Sequence, residues 1–214
     1  MRILLVSGPW GSGTTAVAGL LARLGAVSFG PYFRSYDPRT PITYEFVPFR
    51  DVVRRHVCVP TLSRRNSTRD EVERDFRALR SRIEEEEFGP YSRNASLPVL
   101  LKSPPSAFLL PEICKVFDVW LILVKRPLEQ IEQSRLRRGW EPHFGRLGAE
   151  VIYRHLSSAI ETTTFPHIGI EYEDVLNSPM NAARRFAAFA HIEAGLDQIE
   201  AAACFVKSGR LPST

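Results

Sequence analysis

A glycine-rich loop near the start of the chain is the stretch whose composition most clearly indicates chemistry. Residues 8–15 read Gly-Pro-Trp-Gly-Ser-Gly-Thr-Thr and lie between an apolar run, 2–6, and an apolar helical pattern, 16–24. Such a loop leaves backbone N–H groups pointing into an open cup, and the positive end of the next helix dipole faces the same cup. Phosphate and sulfate are the groups that suit this environment. The sequence therefore predicts an anion-binding site at this turn.

The same loop lacks the lysine that nucleoside-triphosphate enzymes carry. Their P-loop reads G-x-x-x-x-G-K-[ST], and its lysine binds the β- and γ-phosphates. Here Gly8 and Gly13 keep the spacing, but Thr14 stands in the lysine's place. This difference disfavours triphosphate hydrolysis and kinase chemistry, whereas a helix-terminus anion site does not need the lysine.

Cationic side chains follow two other apolar runs that read as strands. Lys102 ends one run, while Lys125 and Arg126 follow the other, with Ser134 on the helix after it. Ligands of parallel sheets bind at the carboxyl ends of the strands, so these side chains are expected near the glycine loop. Three cations beside one helix-terminus cup indicate an extended, multiply charged anion.

The remaining patterns indicate the elements that must position these residues. Strands are predicted over 2–6, 97–102, 118–124 and 168–172, and helices over 16–24, 49–59, 68–88, 106–117, 127–138, 148–162, 179–190 and 195–203. Strands that alternate with helices predict a parallel sheet covered on both faces. The expected fold class is α/β, a parallel β-sheet flanked by helices, in a single domain over residues 1–214.

Composition limits the classes of partner. The chain has 214 residues, of which 44% are hydrophobic and 24% charged, as in an ordinary folded domain with a sizeable core. A net charge of +4 suits an anionic ligand and equally suits plain solubility. The aromatic–basic alternation of a nucleic-acid reader is missing. We therefore expect no nucleic-acid partner, and the oligomeric state is not readable.

The cysteines and the apolar runs indicate the compartment. Cys58, Cys114 and Cys204 are odd in number and form no C-x-x-C, so neither a disulfide framework nor a zinc site is predicted. We expect all three to be small buried hydrophobes in a reducing cytoplasm. No apolar run has membrane-spanning length, and Gly8-Pro9 interrupts the first one, so neither a signal peptide nor a membrane partner is expected.

The loop and the downstream cations together resemble the sulfotransferases that use 3′-phosphoadenosine 5′-phosphosulfate (PAPS). The family's first signature is a strand, a loop like G-P-x-[KR]-[ST]-G-T-[TS] and a helix, which residues 8–15 match at every position but the fourth. Its second signature is an arginine at a strand end followed eight positions later by a serine, which Arg126 and Ser134 match. The resemblance covers about residues 2–25 and 98–190. It implies a P-loop-like fold and a sulfotransferase activity.

The resemblance also implies donor-binding residues. For the 5′-phosphosulfate these are Gly11, Ser12, Gly13, Thr14 and Thr15, and for the 3′-phosphate they are Arg126 and Ser134, with Lys207 and Arg210 as a weaker match to a C-terminal basic loop. The implied reaction moves a sulfuryl group from PAPS, a co-substrate, to a hydroxyl or amine of a small-molecule or glycan acceptor without a metal. The variable segment 28–96 is expected to shape the acceptor site.

The sequence departs from the family's pattern inside the loop. Gly11 stands where the family usually has Lys or Arg, a cation that stabilises the bridging oxygen. Lys102 is the candidate to replace it, because its strand ends beside the loop, and Arg34 is a second candidate. The alternative is a relative that binds adenosine 3′,5′-bisphosphate with slow or no turnover.

The catalytic base and the acceptor are open at this stage. The histidine that some members carry on the second strand is Pro104 here, so Glu45 and His56 are the candidates for a base. Trp10 either lines the acceptor pocket or packs under the loop. A P-loop small-molecule or nucleotide kinase remains the rival enzyme class, and it predicts Mg²⁺-dependent binding of ATP.

Overall fold

A four-stranded parallel sheet organises the chain. The computed structural model describes residues 1–35, 42–87 and 97–208. Its strands are β1 (Arg2–Ser7), β2 (Val57–Cys58), β3 (Ser63–Arg64), β4 (Val99–Lys102), β5 (Asp118–Lys125) and β6 (His167–Glu171). The order in the sheet is β4-β1-β5-β6 with every neighbouring pair parallel, while β2 and β3 form a separate antiparallel hairpin. The predicted α/β fold class is confirmed.

Helices cover both faces of this sheet. They are α1 (Thr14–Leu24), α2 (Val47–His56), α3 (Arg69–Arg82), α4 (Leu110–Val116), α5 (Leu128–Arg138), α6 (Arg146–Thr162), α7 (Tyr172–Asn177), α8 (Pro179–Ala190) and α9 (Leu196–Ser208). Because successive strand side chains point to opposite faces, Ile3 and Leu5 belong to a core with α2, α3, α4 and α6. Leu4 and Val6 belong to a second core with α1, α8 and α9.

Local sequence signals set several helix boundaries. Thr68 caps α3 by accepting from the backbone N–H of Glu71, whose side chain accepts in return from the Thr68 N–H. The helix then continues as a π-helical turn over Ile83–Glu87, and residue 88 of the predicted helix lies outside the described residues. The predicted helix 106–117 instead starts as a 3₁₀ segment over Pro104–Leu109, and its two prolines occupy the first two positions, where no backbone N–H is needed.

The segment 28–96 contains the two helices that the sequence predicted there and a hairpin that it did not predict. Its described residues form α2, the β2–β3 hairpin and α3, which cover one face of the sheet. The predicted helix 49–59 is α2, which starts two residues earlier and ends at His56, where the chain turns into the hairpin. The short helix α7 was not anticipated, since it directly follows β6 without a linker.

The expectation that all three cysteines are buried is wrong. Cys58 and Cys114 are half-buried, Cys114 packing against the margin of the core, and Cys204 is exposed on α9. Burial raises the pKa of the Cys114 thiol to about 12. In contrast, hydrogen bonds from Thr61 lower the pKa of the Cys58 thiol.

These two opposite shifts predict different thiol reactivities. The thiolate is the nucleophile, so at pH 7–8 Cys58 is expected to react with iodoacetamide at least about tenfold faster than Cys114. Mass spectrometry of tryptic peptides after timed alkylation measures both rates in one sample, with Cys204 as the exposed reference. Equal rates at Cys58 and Cys114 would contradict the assigned environments.

Candidate functional site

The glycine loop lies at the carboxyl edge of the sheet, where the strand order changes direction. β1 has β4 on one side and β5 on the other, and the loop leaves β1 directly into α1. Crevices at such points are the usual ligand sites of parallel α/β sheets. The register pairs Val6 with Lys102 and Ser7 with Leu123, so the ends of all three strands meet beside the loop.

Two loop glycines have backbone conformations that suit no other residue well. The φ angles of Gly11 and Gly13 are 77° and 97°, in the left-handed region. A Cβ atom on Gly13 would lie 2.2 Å from a carbon of the Tyr172 ring. Gly13 is therefore required both for the turn and for the close approach of Tyr172.

The first turn of α1 presents unpaired backbone donors. The Gly13 carbonyl accepts from the N–H groups of Ala16 and Val17. Among the described residues, none accepts a hydrogen bond from the N–H groups of Gly13, Thr14 or Thr15. The first turn also contains no acidic side chain. These N–H groups and the positive end of the helix dipole correspond to the cup of donors that the sequence led us to expect, and such a donor set suits an anion.

The loop's own hydroxyl groups have separate environments. Ser12 is buried, and its Oγ donates to the Pro9 carbonyl oxygen at 2.7 Å, which closes the loop on itself. Thr14 is buried and Thr15 half-buried at the start of α1.

Arg126 joins the loop to α5. Its Nη1 donates to the Gly11 carbonyl oxygen at 2.9 Å and to the Ser134 Oγ at 3.1 Å, while its Nε donates to Gln130 at 3.0 Å. The guanidinium carbon also lies 5.2 Å from the centre of the Tyr172 ring. The structure therefore brings Arg126 and Ser134, separated by eight residues, against the glycine loop.

Tyr153, which sequence reasoning missed, holds the backbone of Arg126 in place. Its hydroxyl accepts from the Arg126 N–H at 2.8 Å and donates to the Arg126 carbonyl oxygen at 3.2 Å. Burial raises the pKa of Tyr153 to about 12, so the phenol keeps the proton that it donates. No local pattern on α6 marks this residue, because its partner lies on another element.

Lys102 and Glu45 form a buried ion pair on the other side of the loop. The Lys102 Nζ lies 3.0 Å from the Glu45 Oε1, and the two side chains are 3% and 12% exposed. Arg50 lies 3.7 Å from the other carboxylate oxygen and stacks on Phe33, 3.9 Å from the ring centre. Arg50 also lies 3.6 Å from the Asp51 carboxylate, so two cations face two carboxylates in this group. Sequence reasoning named Lys102 and Glu45 separately but missed Arg50.

His56 does not join this group. It lies at the far end of α2, about 15 Å along the helix from the end that carries Glu45. Its ring nitrogens contact the Ser67 hydroxyl at 2.9 Å and the Asp75 carboxylate at 3.1 Å. His56 thus connects α2 to α3, and its position does not support the expectation of a catalytic base.

The remaining candidates lie in less defined positions. Arg34 is exposed next to Phe33. Lys207 lies in the last turn of α9, and Arg210 lies outside the described residues. Trp10 packs edge-on against Phe144, with 4.9 Å between the ring centres, which agrees with the packing interpretation of this residue.

Across residues 1–35, 42–87 and 97–208, no three His, Cys, Asp or Glu side chains come together as metal ligands would. Within the same ranges, no helix combines the length and apolar character needed to cross a bilayer.

The geometry places the protein among parallel α/β proteins with a glycine-rich loop after the first strand. Similar solved structures identify the fold more closely. Sulfotransferase STF1 from Mycobacterium tuberculosis H37Rv matches with a TM-score of 0.65 and 16% identity, over 95% of this chain and 70% of that one. Sulfotransferase STF9 from Mycobacterium avium matches with a TM-score of 0.54 and 18% identity, over 99% of this chain and 69% of that one. The sulfotransferase domain of the Synechococcus PCC 7002 olefin synthase matches with a TM-score of 0.55 and 15% identity, over 100% of this chain and 90% of that one.

The chain therefore has the sulfotransferase fold. No model of a protein family matches its sequence, and no curated protein sequence matches it either. At these identities the likeness concerns the fold, and the assignment of an activity rests on the residues of the site.

Proposed function

We propose that this protein is a PAPS-dependent sulfotransferase that acts on a hydroxyl or amine of a small-molecule or glycan acceptor. The observation that carries the proposal is the contact of Arg126 with both Gly11 and Ser134. One guanidinium thus connects the anion cup of α1 to a hydroxyl on α5. A ligand with a charged group at each end, such as PAPS, fits two donor sets placed side by side.

The donor set agrees with a phosphate and sulfate ligand. The N–H groups at the start of α1 are unpaired in the described residues, and Arg126 has no carboxylate within salt-bridge distance there. A cation that no acid neutralises and a helix start without acidic residues both favour a bound anion. The α1 donors would hold the phosphosulfate, and Arg126 with Ser134 would hold the 3′-phosphate.

The chemistry asked of these residues is mainly charge stabilisation. In sulfuryl transfer the acceptor oxygen or nitrogen bonds to sulfur, the bond from sulfur to the phosphate oxygen breaks, and negative charge grows on that oxygen. Preorganised N–H donors and a buried cation lower the energy of such a state. Lys102 is the proposed cation, because β4 ends beside β1 and Gly11 supplies no side chain.

Glu45 is the proposed base for the acceptor's proton. Its Oε2 lies 3.7 Å from Arg50, which is longer than a hydrogen bond and leaves that oxygen able to accept one. Transfer of the proton to Glu45 would weaken its hold on Lys102, freeing positive charge while the leaving phosphate becomes more negative. The two halves of the ion pair would then act in the same step.

A second candidate, a relative that binds the nucleotide without turnover, is favoured by one observation. The loop carries no cation at Gly11, and the proposed substitute, Lys102, is paired with Glu45. A transfer assay with radiolabelled PAPS and a panel of phenols, amines and sugars separates the two. Bisphosphate binding without transfer to any acceptor would favour the second candidate.

The Arg126→Ala variant tests the donor site. We expect it to weaken binding of adenosine 3′,5′-bisphosphate by about 1.5–3 kcal/mol, which is typical of hydrogen bonds to charged groups. Isothermal titration calorimetry measures the change. Arg184→Ala, which removes an exposed arginine on α8, controls for the loss of net charge.

Two outcomes would contradict the proposal. One is an unchanged affinity in Arg126→Ala. The other is a wild-type protein that is stabilised in a thermal-shift assay only by ATP with Mg²⁺, since that result would point to the rival kinase class.

A further inference from the structure

Within the described part of the chain, the hydroxyl proton of Ser134 has no acceptor. A serine hydroxyl has one O–H donor and two acceptor lone pairs. The Ser134 Oγ accepts from the Arg126 Nη1 at 3.1 Å and from the Arg137 Nη2 at 3.3 Å, which uses both lone pairs. Among the described residues, none accepts the remaining O–H, although the side chain is 2% exposed. That proton is left for a group from outside the fold.

Arg137 brings a second guanidinium to the same hydroxyl. Neither Arg126 nor Arg137 lies within salt-bridge distance of a carboxylate in the described part of the chain, whereas the adjacent Arg135 is paired with Glu132 at 2.6 Å. Two like charges that meet at one oxygen repel each other unless an anion lies between them. Arg137 is also exposed, so a ligand can reach it from solvent.

We propose that Arg137 is a further donor-binding residue, which together with Arg126 and Ser134 forms a three-donor site for a phosphate monoester. This inference rests on the proposed function and adds a source of specificity. A dianionic monoester has three terminal oxygens to match two guanidinium groups and one hydroxyl. A ligand with an uncharged hydroxyl at this position would offer no negative charge to the two guanidinium groups. The site would therefore select 3′-phosphorylated nucleotides over their unphosphorylated counterparts.

A plain structural role for Arg137 predicts something different. A cation in the last turn of a helix interacts favourably with the helix dipole, so α5 would gain stability from any of its C-terminal arginines. In that case the substitution of Arg137 would lower the melting temperature slightly and leave the nucleotide affinities unchanged.

The experiment compares two ligands across matched variants. Wild type, Arg137→Ala and Arg138→Ala are titrated at one fixed salt concentration with adenosine 3′,5′-bisphosphate and with adenosine 5′-monophosphate. Arg138 is the control because it carries the same charge one residue away, where it stacks on Trp140 instead of reaching Ser134.

We expect Arg137→Ala to weaken the binding of the bisphosphate about tenfold and the binding of the monophosphate less than about twofold. Arg138→Ala should change either affinity by less than about threefold. Equal losses for both ligands, or no loss, in Arg137→Ala would overturn the inference. If Arg126→Ala weakens the bisphosphate while Arg137→Ala does not, only this inference fails. If the wild type itself does not bind the bisphosphate, the proposed function fails with it.

Discussion

Gly13→Ala is expected to abolish measurable binding of adenosine 3′,5′-bisphosphate and to lower the free energy of unfolding by about 2–4 kcal/mol. The new methyl group would lie 2.2 Å from the Tyr172 ring, in a backbone conformation with φ of 97°. Either the ring or the loop must move, and Arg126 contacts both of them. The N–H donors of α1 and the guanidinium would then no longer face one ligand.

Gly139 supplies the matched control for this substitution. Its φ of 63° is also in the left-handed region, but a Cβ atom there would have nothing within 4 Å. Gly139→Ala should therefore cost only the backbone strain, about 1–2 kcal/mol, and leave the bisphosphate affinity unchanged. Urea denaturation followed by circular dichroism measures both stabilities. Equal effects of the two substitutions on stability and binding would refute the role of the Tyr172 contact.

Lys102→Met is expected to destabilise the protein by about 3 kcal/mol and to slow sulfuryl transfer about 100-fold. Removal of the ammonium leaves the Glu45 carboxylate, which is 12% exposed, with the more distant Arg50 as its one ion-pair partner among the described residues. The stability loss lies at the lower end for buried pairs because Arg50 remains. The rate loss reflects the missing cation near the leaving oxygen.

Two further variants separate these effects. The double variant Lys102→Met with Glu45→Gln removes the unpaired charge, so its stability should recover toward that of the wild type while the transfer rate stays low. Lys115→Met breaks a pair of similar length, 2.7 Å to Glu73, but the ammonium is 59% exposed and screened by solvent. Its stability should change far less. A double variant with a restored rate would exclude Lys102 as the stabilising cation.

The parts of this protein that the sequence alone predicted are local in the chain. The order of strands and helices follows from apolar periodicity, and the anion cup follows from eight consecutive residues between β1 and α1. The pairing of Arg126 with Ser134 was expected from the resemblance, because the spacing of the two residues matches the second signature of that family. Arg126 lies two residues before α5 and Ser134 lies within it, and Gln130, between them in the sequence, accepts a hydrogen bond from Arg126.

Only the tertiary structure decided which distant side chains complete the site. Glu45 and Lys102 are 57 residues apart, and a pair of that separation leaves no periodic mark in the sequence. The positions of Tyr172 over Gly13 and of Tyr153 behind Arg126 depend likewise on how β6 and α6 pack around the sheet. His56 shows the converse, since a residue type suited to catalysis was committed to Ser67 and Asp75 by the packing of α2 on α3. Residue types and short spacings can be read directly from the sequence. Contacts between distant elements form only when the packing of the two cores fixes the distances between those elements.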